Sequence, residues 1–127
     1  MWHWPISPTS SAPRPTSSTK PTFGIAPAAT AAPYAGAGDT EVVYAGKSLL
    51  TTAVARWARE EGLGIDVCST GELATALSGG LDPARIVVHG NAKSPEELRE
   101  AVRVGVGRVV VDSCMEIAYL AGLARRR

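Results

Sequence analysis

Residues Leu63–Leu73 read LGIDVCSTGEL. The first half, Leu63–Val67, is short, apolar and partly β-branched, the composition of a buried strand. The second half carries Ser69-Thr70-Gly71-Glu72. This is the S-x-x-E form in which a serine hydroxyl and a glutamate satisfy the free amides at a helix start. A helix is expected over Glu72–Ser78, closed by Gly79-Gly80. A strand that runs directly into a capped helix is a βα unit.

The same unit recurs on both sides. β-Branched runs stand at Val42–Tyr44, Ile86–Val88 and Val109–Val111, and with Leu63–Val67 their centres fall about 22 residues apart. Helix-like runs follow them at Leu49–Glu61, Pro95–Val104 and Met115–Leu123. Ser94-Pro95-Glu96-Glu97 and Ser113-Cys114-Met115-Glu116 repeat the capping form, and Ser48 stands in the same phase before the first helix. Gly62 and Gly105 close helices. Leu50, Ala53, Val54 and Trp57, and then Leu98, Ala101 and Val102, recur at helical spacing as faces expected against a sheet. Four βα units with apolar strands predict an α/β fold built on a parallel sheet, its strands buried on both faces.

The first forty residues differ. Seven of the nine prolines fall in residues 1–33, with many Ser and Thr and no acidic residue before Asp39. Residues 1–40 are expected to be disordered, because such a segment buries too little apolar surface to offset its ordering entropy. The regular domain is expected over 41–127. No targeting role is expected for the amino terminus: the basic start and apolar core of a secretory signal are not seen, and although its Ser-rich, acid-poor composition fits a transit peptide, Arg14 and Lys20 are few basic residues for one.

The net charge of +1 gives no footprint for nucleic acid, and no apolar run reaches a membrane span. A cytoplasmic protein of at most one domain is expected. Cys68 and Cys114 read as two reduced thiols. With His3 and His89 they share no metal-ligand spacing, so no metal is expected.

In parallel α/β folds, chemistry gathers at the carboxyl ends of strands. Here those positions hold Lys47, Asp66, His89 with Asn91, and Asp112. An amine desolvated by VVYAG would favour its neutral, nucleophilic form, and Asp66 on the next strand could hold it or tune proton transfer. On spacing alone, Lys47 reads first as a strand-end lysine reaching into water, His89 as a packed histidine, and Asp66 and Asp112 as loop caps.

YAGKSLL, GLGIDVCSTGEL, IVVHGNAKSPEEL and GVGRVVVDSCMEI resemble, in order and spacing, the amino-terminal barrel region of the diaminopimelate decarboxylases, which belong to the alanine-racemase-like, pyridoxal-phosphate-dependent barrel decarboxylases. The resemblance runs from about Glu41 to Leu123 and implies a partial (β/α)8 TIM-type barrel of about four units. It implies that Lys47 carries pyridoxal 5'-phosphate covalently, that Asp66 lies near that lysine and the cofactor, and that His89 and Asn91 share the cofactor rim. The family's ring-stacking histidine belongs to a later H-I-G-S-type motif, so His89 does not inherit that role. The implied reaction removes one carboxylate from the amino acid meso-diaminopimelate to give L-lysine, in a full-length enzyme that is homodimeric. Arginine, ornithine and carboxynorspermidine decarboxylases of the same class stand as alternatives, as does a non-catalytic fragment. An alanine racemase fits less well, because its lysine sits in a V-V-K-A-N-A context. The four units are half a barrel, without the phosphate-binding glycine loop of the last strands or the family's second, β-rich domain, so weak cofactor affinity is expected.

Overall fold

The structure, a computed structural model, describes residues 40–125; the disorder expected for 1–40 lies almost wholly outside them. Four strands alternate with four helices: β1 (Val43–Ala45), α1 (Thr52–Glu60), β2 (Gly64–Val67), α2 (Thr70–Ser78), β3 (Ile86–Val88), α3 (Pro95–Val104), β4 (Arg108–Val109) and α4 (Cys114–Ala124). All strand pairs are parallel, in the order β1-β2-β3-β4, the consecutive arrangement of half a TIM-type barrel.

One side of the sheet holds the core. Ile65, Val67, Ile86 and Val88 alternate along β2 and β3 and pack with Ala55, Ala58, Leu73, Ala76 and Ala101 from the helices. Ile65 and Ile86 are fully buried, and each contributes about 1.5–3 kcal/mol by leaving water. The opposite, helix-free side is less covered: Val43, Asp66 and Val87 are only partly buried. Burial on both faces, expected from the apolar runs, is therefore met on the helix side only. Across the helix-free side Glu41, just before β1, accepts from Arg108 at the start of β4 at 2.6 Å and lies 4.0 Å from Arg85. Gly64 leaves room for this bridge, since a Cβ there would lie 3.3 Å from Glu41 Oε1.

The first helix departs from expectation at its start and its face. Gly46–Ser48 forms a 3-10 turn, and the helix begins at Thr52, where Thr51 Oγ1 accepts from the Val54 amide at 3.2 Å. Ser48 does not cap it; its hydroxyl donates back to Ala45 O at 2.7 Å. Ala55 and Ala58 are buried, whereas Val54 and Trp57 are half-buried and Ala53 is exposed. Close approach explains the choice: a Cβ on Gly79, at the end of α2, would lie 2.4 Å from Ala55 Cβ. Only small residues fit between two helices that near. Leu98 and Ala101 face inward as their spacing predicts.

Ser69, Ser94 and Ser113 each accept from the amide three residues on, at 3.2 Å. The reciprocal half of the box closes only at Ser94, whose amide donates to Glu97 at 2.8 Å. Glu72 and Glu116 reach one residue further back, to the amides of Cys68 at 2.6 Å and Asp112 at 3.3 Å, groups that have just left the strands. The last apolar run is shorter as a strand than expected. Val110 still donates to Val88 O, but Val110 and Val111 are exposed, with Met115 and Ile117 beside them in sequence.

Candidate active site

The register sets the site. Ala45, Asp66 and Val87 are side-by-side partners on the helix-free face of β1, β2 and β3. Side chains alternate along strands, so Cys68 and His89 stand one step further toward the carboxyl ends on that face. His89 continues the ladder with its amide on Val67 O at 2.8 Å. Lys47 lies in the 3-10 turn two residues past Ala45.

That turn is braced from both sides. The Tyr44 hydroxyl donates to Leu49 O at 2.8 Å, and the oxygen of Ser48, whose proton goes to Ala45 O, lies 3.2 Å from the Tyr44 hydroxyl. Gly46 is buried against β2, where a Cβ would come within 2.7 Å of Asp66 O. The YAGK order thus has a packing reason: glycine lets the chain turn tightly over β2 and present the next residue at the rim. Lys47 itself is exposed. The desolvation expected from its apolar neighbours is not supplied by residues 40–125.

Asp66 faces His89, with Oδ2 3.6 Å from Nδ1, beyond hydrogen-bond distance, a contact the sequence did not point to. Its Oδ1 is buried and has no hydrogen-bond partner among the described residues. Cys68 stands beside the pair, and its sulfur, one Asp66 oxygen and one His89 nitrogen lie within 4.8 Å of one another. Burial pushes the Cys68 thiol up from its ordinary pKa; the Asp66 and Glu72 charges push the same way, and the Lys47 charge opposes them. Asn91 is exposed.

A second polar cluster braces the loop that carries His89. Lys93 is 8% exposed. Its Nζ donates to Gly90 O at 2.5 Å and pairs with Glu116 at 2.9 Å, with Asp112 Oδ1 at 3.8 Å. The Lys93 amide donates to the other Glu116 oxygen at 3.0 Å. Ala92, at φ +53°, donates its amide to Asp112 Oδ2 at 3.3 Å. The Lys93 hydrogen bond holds the Glu116 carboxyl below the usual glutamate range, against the upward push of burial, and backbone amides add to it. Sequence reasoning placed Asp112 at the rim and Glu116 in a cap, but missed that both hold a buried lysine. The available signal was weak: one lysine on the loop after β3, two acids around the start of α4.

Known proteins resemble this chain in sequence and fold. The sequence profile described as "Pyridoxal-dependent decarboxylase, pyridoxal binding domain" matches residues 27–127. Diaminopimelate decarboxylase of Actinosynnema pretiosum subsp. auranticum is 55% identical over 86 residues, 68% of this chain and 20% of that protein. The Mycobacterium leprae enzyme of the same name is 53% identical over 87 residues, 68% of this chain and 18% of that protein. The chain therefore spans about a fifth of the length of these curated relatives. Among solved structures, diaminopimelate decarboxylase of Helicobacter pylori complexed with L-lysine superposes with a TM-score of 0.69 at 28% identity, covering 79% of this chain and 26% of that one. A lysine/ornithine decarboxylase of Vibrio vulnificus complexed with putrescine gives 0.60 at 26% identity, covering 67% and 24%. Four consecutive βα units, a lysine at the end of the first strand and these matches lead to one conclusion: the chain belongs to the pyridoxal-dependent decarboxylase family, within its pyridoxal-binding domain.

Proposed function

We propose that the chain is the amino-terminal part of the pyridoxal-binding barrel of a diaminopimelate decarboxylase, a lyase that releases carbon dioxide from meso-diaminopimelate and leaves L-lysine. The observation that carries this reading is the lysine of YAGK, held in the turn just past β1, whose last residue Ala45 pairs with Asp66, in a segment 53–55% identical to enzymes of that name. The curated relatives at 53–55% identity both carry the diaminopimelate decarboxylase name, which favours diaminopimelate as the substrate. On the family resemblance we place the whole enzyme in the cytoplasm as a homodimer.

The residues present fit pyridoxal phosphate at its aldehyde end. Lys47 offers an exposed amine on a braced turn, and Asp66 offers a buried carboxylate oxygen with no partner in residues 40–125. When bound, the cofactor supplies an electron sink for the carbanion left by carbon dioxide loss. Lys47 is the residue that would hold the cofactor covalently, through its amine nitrogen. Gly46 and Tyr44 fix where that amine stands. Asp66 and His89 line the rim and orient what enters it. Lys93, Asp112 and Glu116 hold the loop that presents His89. The remaining barrel units of the whole enzyme would cover the helix-free face and exclude water from Lys47.

The test is pyridoxal phosphate added to the purified chain, borohydride reduction and mass mapping of the modified lysine. Saturable labelling at Lys47, lost in Lys47→Ala, is expected. Equal, weak labelling of Lys20, Lys47 and Lys93 would overturn the assignment of Lys47 in this chain.

A further inference from the structure

We propose that Asp66, Cys68 and His89 form a three-ligand site for a thiophilic divalent cation, with zinc the best fit. The linear sequence hides the set, because Asp66 lies on β2, Cys68 just past its end, and His89 just past the end of β3. Strand alternation puts Asp66 and Cys68 on one face, and the β2–β3 register brings His89 alongside. Thiolate, imidazole and carboxylate are together the donors that zinc and cobalt accept, and three protein ligands leave one position open for water or a small anion.

The distances suit closure on an ion. The donor atoms lie within 4.8 Å of one another. Tetrahedral zinc, with bonds of about 2.0–2.3 Å, holds its ligand atoms roughly 3.3–3.8 Å apart, so the cluster must contract by about 1 Å. The His89 side chain is 47% exposed and can supply that movement by rotating. Little is given up in exchange. The Asp66–His89 contact is 3.6 Å, too long for a good hydrogen bond, and Asp66 Oδ1 has no hydrogen-bond partner among the described residues. Gly90, at φ +116°, lets the loop carrying His89 lie against Cys68; a Cβ there would be 3.5 Å from Cys68 O. On binding, the Cys68 thiol proton passes to solvent and the sulfur bonds the metal.

The consequence for the enzyme rests on the proposed cofactor role of the same rim. Asp66 and His89 cannot serve an ion and the cofactor together, so zinc and pyridoxal phosphate exclude one another.

The experiment titrates the reduced full chain with cobalt(II) and follows the thiolate-to-cobalt charge-transfer band in the near ultraviolet. A saturable band displaced by zinc is expected. Cys68→Ser and Cys68→Ala abolish it, while Asp66→Asn and His89→Ala each weaken cobalt binding by more than about tenfold. Cys114→Ser and His3→Ala leave it unchanged. Circular dichroism checks that each variant is folded. A folded chain without the band, or a band that disappears with Cys114 instead, overturns the site. Borohydride labelling of Lys47 is read separately. Labelling without cobalt binding removes the cation site and leaves the cofactor reading standing; cobalt binding without labelling does the reverse. Zinc that fails to suppress labelling in the unsubstituted chain while it binds Cys68 overturns mutual exclusion.

Discussion

Gly46→Ala tests whether the lysine turn depends on close packing. The added Cβ would stand 2.7 Å from Asp66 O, 0.7 Å inside the 3.4 Å at which ordinary contact begins (3.4 − 2.7). The second neighbour, Leu50 Cδ2 at 3.3 Å, is the end of a side chain and can yield. The first is backbone, in the strand paired with β1, and cannot yield alone. The end of β1 must therefore move off β2, at the overpacking cost of about 1–3 kcal/mol. Loss of glycine's freedom in the unfolded chain returns about 0.4–1 kcal/mol. Taking the middle of both ranges, a net loss of about 1.3 kcal/mol remains, which lowers a urea midpoint by about 0.4–1.3 M. Lys47 moves with the turn, so borohydride labelling should fall in parallel. Gly71→Ala is the control, because a Cβ there meets only Ser69 Oγ at 3.9 Å, and in the first turn of α2 it should be neutral or stabilising. If Gly46→Ala matches Gly71→Ala in midpoint and in labelling, the packing account of YAGK is wrong.

Lys93→Met should lower the denaturation midpoint sharply, since it leaves Glu116 buried without its cation; Lys93→Met with Glu116→Leu should recover much of the loss, a comparison read from urea curves. Because Lys93 depresses the folded-state pKa of Glu116, the stability this group contributes is full above its unfolded value and is lost as pH falls through the lower folded value. Acid unfolding followed by circular dichroism should therefore be less steep in that window for Glu116→Gln. Ser94→Ala, which opens the complete capping box at α3, should cost about 1 kcal/mol in thermal or urea unfolding. Gly107→Ala should destabilise more than Gly46→Ala, since its Cβ would fall 1.9 Å from Ala84 O, and the same urea assay ranks the two.

Strand positions were legible because β-branched runs at one spacing have few other uses. The regions of β2 and β3 lie where LGIDV and IVV place them. Helix faces were less legible. Along α1 the largest apolar residues marked the wrong stripe, because contact with Gly79 selects alanine by size rather than hydrophobicity. The last strand was overextended for a related reason: VVV has strand composition, but only Val109 lies within β4. Lys47, Asp66, His89 and Asp112 were all placed at strand ends by position alone. Which of them touch was not legible. The His89–Asp66 contact needs the register, and the burial of Lys93 needs a glutamate 23 residues further on. The amine expected to be desolvated is exposed in residues 40–125, whereas one assigned no role is buried.

Consecutive strand pairing also bears on the order in which the chain can fold. Each strand pairs with the strand one βα unit before it, so a partner is already available when each new unit leaves the ribosome. Each pairing therefore closes a loop of one βα unit, and the sheet can grow one strand at a time. The bridge from Glu41 to Arg108 spans 67 residues and cannot form until the fourth strand arrives. Both side chains keep access to water, so salt should weaken this late-forming bridge and leave the earlier pairings largely untouched.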